Sequence, residues 1–304
     1  MSNRIATGMI TSSTLNDINS ALSKLERSSE ELSSGRTILQ PSDNPYGASH
    51  AIDLQSQLDG LTSYATNVQD GISWSNTANG AMTNMGSVVQ RVRELLVQAG
   101  NATYNQSDLN SIATEVSQLT ETIKQDANTQ YAGQYVFAGT LTTTAPYKQG
   151  PEDEYHGNEG TISRSVGPGA SVTVNTNIST LLGNGAGSGD GKLLDTLRTI
   201  SEHLTSGTAE GRAALNSTDL KAIDASMETL TQLQATTGSV TNQLQVASLR
   251  IEDLQDSITK TLSNTQDADV AKTTIAYSNE QAAYQAALRA GANIVQESLL
   301  NFLR

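Results

Sequence analysis

The sequence predicts a mainly α-helical protein: a long antiparallel helical bundle built from the N- and C-terminal halves, with a small β-rich inserted domain. Three observations carry this expectation. Heptad-spaced apolar stripes lie near both ends, and long stretches in each half keep a helical apolar period. Between Gln134 and Gly183 that period gives way to alternation punctuated by Gly and Pro.

Taken in order, Leu15, Ile18, Leu22, Leu25 and Leu32 recur at three- and four-residue steps, with Ser29 filling the gap. This predicts a first helix from Leu15 to Leu32, closed by Ser33-Ser34-Gly35, where Gly can adopt the left-handed conformation of a helix end. In the loop Pro41-Ser42-Asp43-Asn44-Pro45, Asn44 can cap the next helix and Pro45 can take its first position, where a missing N–H costs nothing. Leu54, Leu58, Leu61, Ala65, Val68 and Ile72 extend that helix. Ala78, Met82, Met85, Val89, Val92 and Leu96 resume it after a phase slip near Trp74, and Gly100-Asn101 ends it. Gly60, Gly71, Gly80 and Gly86 are candidate bend points. A third helix is capped by Asn105 or Ser107, carries Leu109, Ile112, Val116, Leu119 and Ile123, and is expected to end near Ala132-Gly133.

Tyr135-Val136-Phe137 and Ala170-Ser171-Val172-Thr173-Val174 read as short strands, and the Gly residues from Gly183 to Gly191 read as a flexible return linker. Helix resumes over Leu193, Leu194, Leu197, Ile200 and Leu204, pauses between Gly207 and Gly211, and restarts around Asn216 to Asp219. From Leu220 one stripe runs through Ile223, Met227, Leu230, Val240, Leu244, Ala247, Ile251, Leu254 and Ile258, with Gln234 and Thr237 as polar seam residues that restrict register. The last stripe is Tyr277, Tyr284, Leu288, Ala292, Val295, Leu299 and Phe302. The expected organisation is therefore 1–133 and 191–304 as the two halves of a helical core domain, with 134–190 as the insert and its return linker. An apolar stripe at each end must bury itself on the other end or on another molecule. The pattern alone leaves both an intramolecular hairpin and polymerisation open.

Composition narrows the function. The chain of 304 residues is 36% hydrophobic and 4% aromatic, which suits helical packing better than a large globular core. A net charge of -13 argues against nucleic acid, whose phosphates demand clustered Lys and Arg, and no basic membrane-binding face is present. The excess lies away from the ends: four basic and four acidic residues precede or include Arg36, and two of each follow from Glu280. There is no Cys, which excludes disulfides and thiol chemistry. The first nine residues lack the apolar core of a secretory signal, and no window resembles a membrane span. Export, if it occurs, is expected to use another route.

No catalytic, metal or cofactor site is expected. Gly187-Ser188-Gly189-Asp190-Gly191-Lys192-Leu193 approaches a phosphate loop but puts Leu193 where a magnesium-binding hydroxyl belongs. His50, His156 and His203 are scattered, and Asp153, Glu154, His156 and Glu159 read as a solvated acidic loop.

Leu32-Ser33-Ser34-Gly35-Arg36 followed by Gln40-Pro41-Ser42-Asp43-Asn44-Pro45-Tyr46-Gly47-Ala48-Ser49 resembles the N-terminal signature of bacterial flagellin-like axial proteins, in the proline-bracketed form its junction members favour. Gly133-Gln134-Tyr135-Val136-Phe137-Ala138-Gly139-Thr140 resembles the family's exit from the helical domain. The runs Tyr155 to Gly160 and Gly167 to Asn175 resemble strand segments of the junction members, and Gln281 to Leu288 with Ser298 to Leu303 resemble the family's C-terminus. Asn44 departs from the acidic residue common in that loop, and a terminal Arg304 is a feature shared with filament flagellins.

The resemblance implies a non-enzymatic structural protein exported unfolded through the flagellar type III apparatus with an export chaperone, without a cleaved signal. It would assemble outside the cell as a ring between hook-associated protein 1, the first junction protein, and flagellin. The terminal seams Leu15, Ile18, Leu22, Leu25, Leu32, Tyr284, Leu288, Val295, Leu299 and Phe302 would carry assembly, with the loop Pro41 to Pro45 as the family motif. A filament flagellin is the alternative within the family. Outside it stands a cytoplasmic signalling helix like those of chemoreceptors, opposed by the β insert and the Pro-bracketed loop. A glycan-active enzyme grafted on the insert is the weakest alternative.

Overall fold

Capping groups and apolar period place the helices of this chain. The structure is a computed structural model that describes residues 2–101, 104–150, 154–185 and 188–302; within the terminal helices, the side chains described are those of residue 9 and residues 11–293. In chain order the elements are α1 (Ser2–Ser34), α2 (Pro45–Ala99), α3 (Gln106–Ala127), β1 (Gln130–Tyr131), β2 (Gln134–Tyr135), β3 (Ser163–Gly167), β4 (Ala170–Thr173), α4 (Ser179–Leu182), α5 (Leu193–Ser206), α6 (Ala209–Ala214), a π-helical turn (Leu215–Asp219), α7 (Leu220–Gln266) and α8 (Val270–Phe302). The protein is mainly α-helical, and the sheets among the described residues are two small antiparallel hairpins, β1–β2 and β3–β4. The chain divides into two compact units, Met1–Gly60 with Leu254–Arg304, and Leu61–Asp253.

In the first unit, α1 extends upstream of Leu15 to Ser2 and closes at Gly35, whose φ is 71° and whose N–H donates to the Glu31 carbonyl at 2.9 Å. Asn44 Oδ1 accepts the Gly47 N–H at 3.0 Å, capping α2 with Pro45 at its first position. Asp269 caps α8 in the same way, accepting the Lys272 N–H at 3.1 Å. The two helix breaks are tied together. An antiparallel bridge pairs Arg36 with Asp267, with Thr37 N–H donating to the Gln266 carbonyl at 2.7 Å and Ala268 N–H to the Gly35 carbonyl at 2.8 Å. A small apolar cluster of Ala51, Leu54 and Leu262, flanked by Leu58 and Ile258, joins the start of α2 to the end of α7.

The second unit holds the main core. Trp74, Met82, Met85, Val92 and Leu96 from α2 meet Leu109, Val116 and Ile123 from α3, Leu197, Ile200 and Leu204 from α5, and Ile223, Leu230 and Leu244 from α7. Fully burying a side chain of this size contributes about 1.5–3 kcal/mol. α3 packs on α5. Gly71 marks a close approach: a Cβ there would stand 3.1 Å from both Leu244 Cδ1 and Val174 Cγ1. Phe137, Tyr147, Ile178, Leu181 and Leu182 are buried in the same core, so the residues between α3 and α5 supply part of it. Lys124 is buried with its ammonium 2.8 Å from Glu121 Oε1 and 2.6 Å from the Gly150 carbonyl, while Glu121 Oε2 accepts the Gly150 N–H at 3.0 Å.

Three local features differ from the sequence reading. α3 stops at Ala127, before the expected end at Ala132-Gly133. Asn128 at its end uses both amide atoms on the Tyr147 backbone, at 2.6 and 3.0 Å, and diverts the chain. Ala132 and Gly133, with φ of 48° and 78°, become the two-residue turn of the β1–β2 hairpin. The Gly-rich return segment is closed rather than free where it is described: the Asp190 carboxylate accepts N–H groups of Asn184 at 2.8 Å and Lys192 at 2.9 Å. The restart before α7 is a π turn, which directs Asn216 to the Gly100 carbonyl at 3.0 Å and Asp219 to His203 Nδ1 at 2.7 Å.

Candidate assembly surface

Helices α1 and α8 pack on each other, so the structure brings the two terminal stripes together within one chain. Their residues do not all enter the seam. Ile18, Leu22, Leu25 and Tyr284 are half-buried, whereas Leu15, Leu32 and Leu288 are 56%, 38% and 43% exposed. Ala292 is exposed as well, and the side chains of Val295, Leu299 and Phe302 lie outside the described residues.

What occupies the seam is a mixture of large and small residues with polar members among them. On α1, Thr14, Ile18, Ala21, Leu25 and Ser28 are buried or half-buried at steps of four, three, four and three. On α8 the matching row is Thr273, Tyr277, Glu280, Tyr284, Ala287 and Gly291. Both rows have heptad spacing, but on α8 the row lies one position before Leu288 and Ala292. Sequence reasoning missed Ser28, Glu280 and Gly291 because it scored bulk; the three- and four-residue steps were present without it. The consequence is a mixed allocation: Ile18, Leu25, Tyr277 and Tyr284 share the helix pair with Thr14, Ala21, Ser28, Ala287 and Gly291, while Leu15, Leu32, Ile275 and Leu288 are left exposed.

The loop between α1 and α2 is a rigid feature of the same unit. Pro41, Ser42, Asp43, Asn44 and Pro45 are all exposed. Asp43 Oδ2 accepts the N–H groups of Leu39 at 3.1 Å and Gln40 at 3.0 Å, and Arg27 Nη1 stands 3.4 Å from its other oxygen. The Gln40 N–H bond, with smaller contributions from Leu39 and Arg27, outweighs desolvation and holds the Asp43 carboxyl below its ordinary range. A Cβ on Gly47 would fall 2.6 Å from Asn44 Nδ2 and 2.7 Å from Ile38 Cδ1, so both side-chain ends would have to shift to admit it. Beside the loop is an open groove of about 400 Å³ lined by Ile38, Leu39, Pro41, Ala51, Ile52 and Gln266, and Tyr46 next to it is 82% exposed.

Among the described residues, no cluster of His, Cys, Asp or Glu could hold a metal ion, and no helix is long and apolar enough to cross a membrane.

Two family profiles match the chain at its two ends: the bacterial flagellin N-terminal helical region over residues 5–142 and the bacterial flagellin C-terminal helical region over residues 220–303. A flagellin of Bacillus subtilis is 29% identical over 303 residues, covering 96% of each chain. A phase 2 flagellin of Salmonella abortus-equi is 38% identical over 145 residues, which are 47% of this chain and 29% of that one. Among solved structures, a flagellar hook-associated protein of Vibrio parahaemolyticus matches with a TM-score of 0.68 at 17% identity, over 74% of this chain and all of the other. The flagellar junction protein FlgL of Legionella pneumophila matches with a TM-score of 0.59 at 15% identity, over 72% of this chain and all of that one. At these identities the structural likenesses establish the fold.

Proposed function

This chain belongs to the bacterial flagellin family, whose helical regions match both of its ends, and from that premise we propose that it forms the junction between the flagellar hook and the flagellin filament. Membership makes it a structural component of the flagellar axis rather than an enzyme. The observation that carries assembly is the allocation of residues in the α1–α8 pair, where Leu15, Leu32 and Leu288 are exposed while Ser28 and Gly291 are buried. A helix pair sorted in this way is completed by neighbours.

The junction role is supported by the proline-bracketed loop from Pro41 to Pro45 and by folds shared with hook-associated and junction proteins. In this reading the chain forms a ring on hook-associated protein 1 and presents a surface to flagellin. It reaches that place unfolded, through the flagellar type III apparatus with an export chaperone, and resides outside the cell. The absence of Cys suits threading, since no covalent cross-link opposes it. Residues 134–190 form the insert between the two helical halves, with a Gly-rich segment at its return.

One observation favours a second reading. The likeness to a flagellin of Bacillus subtilis extends over 96% of both chains, as expected of a filament subunit. Adding purified protein to isolated hooks that carry hook-associated protein 1 separates the two readings by electron microscopy. The junction role predicts a short cap on the hook that grows no further alone and then seeds filament when flagellin is added. Continuous filament growth from this protein alone would replace the junction role with the filament role.

A further inference from the structure

The seam between α1 and α8 is fixed at two points of different chemistry. At one, Ser28, 6% exposed, donates its hydroxyl proton to the Glu280 carboxylate. At the other, Gly291 is buried, and a Cβ there would stand 3.0 Å from Ile18 Cδ1 and 3.4 Å from Thr14 Cγ2. The glycine is thus a notch that receives Ile18. The two points are about 15 Å apart along α1 at the standard helical rise. Pairing residue 28 with 280 and 18 with 291 requires antiparallel helices in a single register.

Heptad-slipped alternatives match poorly. A slip one way sets Tyr284 against Ile18 and Thr273 against Ser28; a slip the other way sets Ser298 against Ile18 and Ala287 against Ser28. The first puts an aromatic ring where the notch was, and both deprive the Ser28 hydroxyl of its carboxylate. A heptad repeat of mixed residues permits slippage by whole heptads unless particular contacts forbid it, and a polar group within a seam selects register at some expense in stability.

We propose that Ser28, Glu280 and Gly291 are the register-determining residues of the α1–α8 pair, the polar contact and the notch together selecting one alignment of the chain's two ends. A heptad slip would move Leu288 by about 10 Å relative to Leu15 and misplace the large residues offered to neighbours. That consequence rests on the axial role proposed above; the register itself does not.

The chain contains no Cys, so introduced pairs would be its only thiols. Ala21→Cys with Ala287→Cys reports the observed register. Thr14→Cys with Ala287→Cys, and Ala21→Cys with Ile294→Cys, report the two slips. In the purified full-length protein, oxidised under identical conditions, the first pair should form its intrachain disulfide at least about tenfold faster than either slipped pair, because disulfide geometry is restrictive. Adding Glu280→Ala and Gly291→Leu together should erase that lead. Glu280→Ala alone, which adds no bulk and so guards against a merely misfolded double variant, should reduce the lead severalfold. A lead that survives both changes overturns the proposal, as does faster closure of a slipped pair in the unaltered seam or cross-linking chiefly between chains. No hook or flagellin enters the reaction, so a failed register leaves the junction role standing, and a failed hook cap leaves the register standing.

Discussion

At the scale of residues, the Asp43 carboxyl accepts the backbone N–H groups of Gln40 and Leu39 and faces Arg27, which hold it below its ordinary range. A carboxyl depressed by folding contributes stability above its unfolded pKa, and that contribution is lost as pH falls through its folded value. The protection factors of residues 37–44, that is, exchange corrected for its intrinsic pH dependence, should therefore fall on acidification below the usual carboxylate range, and Asp43→Ala should show the lowered protection already at neutral pH. Asp126 has the opposite sign. Burial raises its pKa against the opposing hydrogen bond from Asn84, and Oδ2 finds no partner among the described residues. Its charged form is penalised, so its contribution is present at low pH and lost as pH rises through the folded value. Asp126→Asn should raise the thermal midpoint at neutral pH by a few degrees; an unchanged or lower midpoint would contradict this. Asn44→Ala should cost about 1 kcal/mol, the usual loss for an N-cap, read by denaturant unfolding.

At the scale of elements, the parts legible in the sequence were those set by local chemistry. Asn44-Pro45 and Gly100 mark the limits of α2, and of the two cap candidates for α3, Asn105 and Ser107, it is Asn105 that caps, with Asp108 completing a capping box. Elements fixed by distant partners were not legible. The hairpin turn at Ala132-Gly133 depends on Asn128 meeting the Tyr147 backbone, and the π turn depends on Asn216 and Asp219 meeting Gly100 and His203. In the assembly surface, the spacing of both stripes was readable but not which row turns inward, because Ala287 and Gly291 gain their places only by closeness to α1. The segment between α3 and α5 carries a further expectation. Phe137 is fully buried in the core of the second unit, so Phe137→Ala should cost about 3–5 kcal/mol in the main unfolding transition. A separate, low-amplitude transition with the main one unmoved would instead make this segment an independent module.

At the scale of the whole molecule, the proposed role assigns to the exposed leucines of the α1–α8 pair a small part in the free chain and a large one in the assembly. Leu15 and Leu288 keep 56% and 43% of their surface exposed in the α1–α8 pair, so their removal takes less buried surface from the monomer than removal of a core leucine would. If neighbouring subunits cover them, the same removal subtracts a buried contact from each interface around the ring. The direct measurement is a paired one on Leu15→Ser with Leu288→Ser: thermal melting of the purified chain, and capping of isolated hooks by the same preparation. The expected result is a melting midpoint lowered far less than by loss of core leucines, together with loss of the cap. A midpoint lowered by several degrees while hooks are still capped would contradict it, since those leucines would then belong to the fold of the chain and not to its assembly.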